Sequence, residues 1–130
     1  MLKLEKCSDV TALVGRLFFA SLFLLYGYKK LMGYAGAAAY MAKVGLPPWF
    51  AVLAIIFELG GGLLMVAGFH TRLTALMMAV YVLVASYFGH GHVSDPAQLV
   101  HFMKNMSIIG GCFAFVALGA GRYSLDAGKR

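Results

Sequence analysis

Residues 48–68 read PWFAVLAIIFELGGGLLMVAG, a run that is apolar or glycine throughout except for one carboxylate, Glu58. A helix of about 20 apolar residues crosses the roughly 30 Å hydrocarbon core of a bilayer, so this run is read as a transmembrane span. Pro48 is tolerated in a first helical turn, and Gly68 marks the far end. Glu58 lies ten residues in, which at about 1.5 Å per residue puts it about 15 Å from the boundary, close to the bilayer centre.

Three more stretches share this character, at 10–32, 72–88 and 100–120. Of the 130 residues 62% are hydrophobic and 12% charged, so lipid rather than water is the main solvent. The fold class expected is all-α, a four-transmembrane-helix bundle forming a single integral membrane domain over residues 1–130. These spans and their short connections leave no room in the 130 residues for a separate soluble catalytic domain. Lys3 and Lys6 precede the first run as in a secretory signal, but Tyr26-Gly27-Tyr28-Lys29-Lys30 follows it where a small-residue cleavage site would stand. An uncleaved anchor is therefore expected. Between the first two spans, the spacing of Tyr34, Ala37, Ala38, Met41 and Val44 predicts a short amphipathic helix on the membrane surface, ended by Gly45-Leu46-Pro47-Pro48. Phe69-His70-Thr71-Arg72 reads as a tight hairpin with Thr71 as the N-cap of the third span. The polar loop from Gly89 to Gln98 leads to the fourth, which Gly119 and Gly121 close.

The net charge is +6, and its basic residues sit at the ends of apolar runs rather than in a stripe with interleaved aromatics. Nucleic acid is excluded as a partner, and the bilayer is the expected one. Four spans place both termini and the short hairpin on one side, with Lys3, Lys6, Arg72, Arg122, Lys129 and Arg130; Lys29, Lys30 and Lys43 lie on the other. The positive-inside rule then puts both termini in the cytoplasm. Tyr26, Tyr28, Tyr34, Tyr40, Trp49, Tyr87 and Phe88 form an outer aromatic belt.

An ionisable residue at the centre of a span costs about 2.5 to 3.5 kcal/mol on insertion scales, and Glu58 therefore needs a partner or a task. Cβ vectors tilt toward the N-terminus of their own helix, which ranks the three available cations. Arg16 leans toward the cytoplasm and can snorkel away, and Lys104 leans outward. Lys30 leans down toward the midplane as Glu58 leans up, so it is the expected partner, with Lys104 and Asn105 next. Arg16, Ala20, Gly27 and Lys30 share one face of the first helix; Glu58, Gly61 and Gly62 share one of the second; Lys104, Ser107, Ile108 and Gly111 repeat along the fourth. Gly27, Gly61, Gly62, Gly110 and Gly111 are read as packing surfaces. The buried pair either holds a ligand or proton or merely fixes helix register.

The remaining chemistry is sparse. Cys7 and Cys112 form no CxxC motif and are read as structural filler. His90 and His92 beside Asp95 are weak metal candidates, more simply read as solvated loop residues. His101 and His70 lie on opposite sides, which does not suit a b-type haem. No Rossmann fingerprint, P-loop or nucleophile elbow is present, so no self-contained catalytic motif is found.

In order along the chain stand Arg16, Gly27, Lys30 and Gly33; Gly45-Leu46-Pro47 and Glu58-Leu59-Gly60-Gly61; Gly68 and Thr71-Arg72; then His101-Phe102-Met103-Lys104-Asn105, Gly110-Gly111 and Gly119-Ala120-Gly121-Arg122-Tyr123-Ser124-Leu125-Asp126. In this joint order the chain resembles the DoxX family of bacterial membrane proteins over nearly its full length. The resemblance implies a multi-pass protein of the bacterial inner membrane whose relatives are linked to quinone-coupled sulfur oxidation or to membrane oxidoreductase complexes. Two classes of function follow. One is a quinone-associated subunit of an oxidoreductase system, with quinone as the cofactor, a membrane or peripheral oxidoreductase as partner, and Glu58, Lys30, Lys104 and Asn105 about the head group with Tyr26 or Tyr28 at the outer mouth. The other is non-enzymatic: a small-solute or proton transporter using Glu58, or an assembly or packing subunit, including a homo-oligomer joined through its glycine faces.

Overall fold

The computed structural model describes residues 7–90 and 94–127. Five helices follow in order: α1 Ser8–Met32, α2 Tyr34–Lys43, α3 Phe50–Ala67, α4 Thr71–His90 and α5 Pro96–Leu118. No strand occurs among the described residues. α1, α3, α4 and α5 are each long and apolar enough to cross a membrane, and α2 is the short helix between the first two spans.

Local chemistry sets each boundary. Asp9 sits in the first turn of α1 and Lys29 and Lys30 in its last, the arrangement the helix dipole favours. Pro47 and Pro48 hold the chain in tight i→i+3 turns, with Phe50 N–H donating to Pro47 O at 3.0 Å and Ala51 N–H to Pro48 O at 3.1 Å, so α3 opens at Phe50. α3 ends at Gly68, whose φ of +68° is left-handed and whose missing Cβ leaves room for the Arg16 guanidinium and Ser124. α5 begins at Pro96, ahead of the Val100 expected from hydropathy, because Asp95 Oδ1 accepts from Ala97 N–H at 3.0 Å and proline fits the first turn.

Two positions behave differently from the sequence reading. Thr71 opens α4 but does not cap it: Asp126, 55 residues further on, accepts from His70 N–H at 2.7 Å and from Thr71 N–H at 2.8 Å. Arg16 does not snorkel. It is fully buried and donates to Met65 O at 2.9 Å, to Val66 O at 3.1 Å and to Tyr123 O, so it serves the last carbonyls of α3 and ties the tail to them.

The tail adds two backbone bonds to this hairpin, Leu125 N–H to Ala67 O at 3.0 Å and Asp126 N–H to Gly68 O at 2.9 Å. It also reaches α1, where Arg122 N–H donates to Asp9 Oδ1 at 3.0 Å. Burial alone would raise the Asp126 carboxyl; hydrogen bonds from Thr71 and His70 and the His70 charge outweigh it and hold it below its ordinary value.

Lipid does not drive apolar faces together as water does, so the spans meet where small residues allow close approach. A Cβ at Gly27 would come within 2.9 Å of Leu59, one at Gly61 within 2.9 Å of Met78, and one at Gly62 within 2.8 Å of Leu24. Gly111 faces Phe19 at ordinary contact distance. Gly110, expected on a packing surface, has no neighbour within 4 Å and looks outward. The buried core, with Ala20, Phe23, Met65, Met78, Val82 and Cys112, runs from the end of the bundle nearer the termini to about its middle, where Phe23 and Val82 border open space.

Candidate functional site

Glu58 sits in the middle of a π turn, Ile56–Gly60, that interrupts α3. Such a turn inserts one residue into the helical repeat and re-aims the side chains beside it, and it recurs at functional sites. Glu58 is 7% exposed. Lys30, in the last turn of α1, donates to both carboxylate oxygens, with Nζ 2.8 Å from Oε1 and 2.7 Å from Oε2. The close approach of Gly27 to Leu59 and Glu58 seats α1 on the π turn, three residues before Lys30. On the other flank the Tyr81 phenol of α4 is a further partner of the carboxylate, and its ring stacks on Phe57 at 5.4 Å between centroids.

These groups border open space. A cavity of about 600 Å³ occupies the half of the bundle away from the termini, within the size range of small-molecule sites. Tyr26 and Lys30 line it from α1, Phe57 and Glu58 from α3, Tyr81 and Phe88 from α4, and His101, Lys104, Asn105 and Ile108 from α5, while Tyr40 and Met41 of α2 form its roof. The tip of Tyr40 reaches α4, where a Cβ added to Gly89 would stand 2.5 Å from the hydroxyl. Most of the wall is apolar. The ion pair, Tyr81, Lys104 and Asn105 set polar groups into this wall, so the site suits a molecule with both a polar and an apolar part.

The candidates named from sequence therefore divide. Lys30, Glu58, Lys104, Asn105 and Tyr26 come together around one cavity; Lys104 and Asn105 border it without joining the ion pair. Tyr26 is also the platform for Lys29 Nζ, 5.4 Å from its ring centre. Tyr28 is exposed and does not line the cavity. Arg16 belongs to the α3 end and the tail. Of the metal candidates, His92 and the His90 side chain lie outside the described residues; among those described there is no cluster of three or more metal-binding side chains.

The profile of the DoxX family matches residues 11–91, from α1 to just past α4. The chain belongs to the DoxX family. It is 38% identical over 123 residues to "Inner membrane protein YqjF" of Escherichia coli (strain K12), covering 95% of each chain. It is 33% identical over 125 residues to "Inner membrane protein YphA" of the same organism, covering 90% of this chain and 89% of that one. It is 27% identical over 82 residues to "Putative oxidoreductase CatD" of Bacillus subtilis (strain 168), covering 63% and 61%. No solved structure matches it. In this DoxX chain the ion pair and Tyr81 fall within the family match, whereas the α5 wall of the cavity lies beyond it.

Three features of the site escaped the sequence reading. Tyr81 had a usable signal: it stands ten residues into α4, near the midplane, where tyrosine is far from the interfacial belts that it favours. Tyr40 was assigned to the belt and also roofs the cavity. The π turn had no signal, since a change of backbone hydrogen-bond register is not written in side-chain type.

Proposed function

We propose that this chain is a quinone-associated subunit of a membrane oxidoreductase system, and that the cavity beside Glu58 receives the quinone head group. One observation carries the reading: the Glu58–Lys30 pair borders a cavity of about 600 Å³ instead of being closed in by packed side chains. A pair that only pinned two helices would need no such space. The donor set fits the ligand. Lys30 and Asn105 offer hydrogens to carbonyl oxygens, the Glu58 carboxylate accepts from hydroxyls, and Phe23, Phe57, Val82 and Ile108 line the cavity beside an apolar ring. When bound, a quinone would supply two-electron, two-proton carriage. The residues here would orient it, exclude bulk water and offer a proton-accepting carboxylate.

The chain has no catalytic motif of its own, so the reading requires an oxidoreductase partner, and the CatD relative's name supports that class. The names of the Escherichia coli relatives support residence in the bacterial inner membrane. The excess of basic residues beside the termini supports a cytoplasmic location for both. Protein extracted in mild detergent is expected to carry quinone detectable by mass spectrometry, and Glu58→Gln to carry several-fold less. Equal retention by the variant would refute the assignment of Glu58.

A further inference from the structure

The ligand proposed for the cavity, if it is an amphiphile, has a tail that must leave the protein somewhere, and the walls differ in how tightly they close. α1 and α3 are sealed by Gly27 against Leu59 and by Gly62 against Leu24. α3 and α4 are sealed by Gly61 against Met78 and by the stacked Phe57 and Tyr81 rings. α4 and α5 run together as the most extensively packed pair of helices. Above, α2 crosses from α1 and α3, with Tyr40 reaching Gly89.

The remaining wall is the seam between α1 and α5, whose backbones are packed only loosely. In the half nearer the termini large side chains fill it: Phe19 and Phe115 meet edge to face at 5.5 Å, Phe115 lies 3.8 Å from a Cβ built on Gly15, and Phe19 lies 3.7 Å from one built on Gly111. In the other half, Leu22 and Tyr26 of α1 and Lys104 and Ile108 of α5 line the cavity itself. Tyr26 is 44% exposed, and Lys104 is exposed as well.

We infer that the cavity opens sideways through this seam into the leaflet away from the termini, and that its ligand is a long-tailed, membrane-dissolved amphiphile whose tail passes between Leu22 and Ile108. The Phe19–Phe115 pair is the floor of the portal, and Tyr26 and Lys104 are its rim at the level of the lipid headgroups. The inference rests on the quinone reading for the head group, but the tail route is a separate property of the fold. A water-soluble solute would have no use for an opening that faces hydrocarbon.

The test uses the full chain in lipid nanodiscs and two radiolabelled probes, a benzoquinone bearing a ten-carbon tail and the same ring without it. Wild type is expected to bind both. In Leu22→Trp the seam is plugged, and affinity for the tailed probe should fall about tenfold while that for the bare ring changes less than about twofold. Equal effects on both probes, or none on either, would overturn the portal and leave the head-group reading standing. Failure of wild type to bind either probe would overturn both. Should the tryptophan variant not fold, wild type is photolysed with a quinone carrying a diazirine at the tail end: adducts on α1 and α5 support the portal, and adducts confined to α2 or α4 refute it.

Discussion

Lys30 and Glu58 can be removed singly or together, and the two operations should differ in a way that follows from the geometry. In Lys30→Met the carboxylate loses the ammonium that meets both of its oxygens and is left facing a mostly apolar cavity. Breaking a buried pair from one side typically costs about 3–5 kcal/mol. The Lys30 side chain is 27% exposed and the pair borders open space, so the expected loss is smaller, about 2–3 kcal/mol. Glu58→Leu strands a lysine near the end of its helix, which can snorkel to the surface, for about 1 kcal/mol or less. Lys30→Met with Glu58→Leu removes both charges and should be no less stable than Glu58→Leu alone, a coupling of about 2–3 kcal/mol. The four proteins are compared by equilibrium unfolding in mixed micelles at pH 7. Additivity to within about 0.5 kcal/mol would refute the pairing as an energetic unit. Co-purified quinone from the same four separates the two roles: a stable double variant without quinone assigns the pair to the ligand, and one with full quinone assigns it to helix register.

Arg16→Lys should fail to rescue what Arg16→Met loses, because an ammonium cannot fork across two helix-end carbonyls and the tail; about 1–3 kcal/mol is expected per orphaned carbonyl, read as melting temperature in detergent. Asp126 is held below its ordinary value of 3.8, so its capping contribution is complete above that pH and is lost as pH falls through the lowered folded value. Amide protection at residues 119–127, taken relative to the intrinsic exchange rate at each pH, should accordingly hold from neutrality to about pH 4 and fall below it, whereas Asp126→Asn should lack that protection throughout. Gly27→Ala drives a methyl against Leu59 and Glu58 and should cost about 1–3 kcal/mol and loosen the ion pair, while Gly110→Ala, with nothing within 4 Å, should be neutral or slightly stabilising. Cys7 is exposed and Cys112 buried, so an impermeant maleimide should label Cys7 only after the cells are opened if the termini are cytoplasmic.

The ion pair was legible in the sequence because both of its determinants are short-range. Depth follows from counting residues along one span, and direction follows from the tilt of Cβ toward a helix's own N-terminus, so Lys30 and Glu58 could be pointed at each other before any packing was known. Arg16 was misread by the same logic applied one step too far. A leaning arginine near a membrane end has two ways to satisfy its guanidinium, water or backbone carbonyls, and the choice depends on whether other chain covers it. Here the cover is the 119–126 tail, more than a hundred residues away, and the same tail supplies the Asp126 cap that Thr71 was expected to provide. Tail residues with small, charged and turn-forming side chains look like a solvated terminus until Gly68 leaves the space into which Arg16 and Ser124 fit. The cavity follows from similar reasoning. Four spans of the right length specify a bundle, but whether that bundle closes around its polar residues depends on side-chain volume layer by layer. Phe19 and Phe115 fill the α1–α5 seam near the termini, and farther along Leu22, Tyr26, Lys104 and Ile108 of the same two helices line the cavity instead. The carboxylate that first marked the second span as unusual is thus joined to a space that the apolar pattern could not reveal, and the width of that seam decides whether the space belongs to the lipid phase.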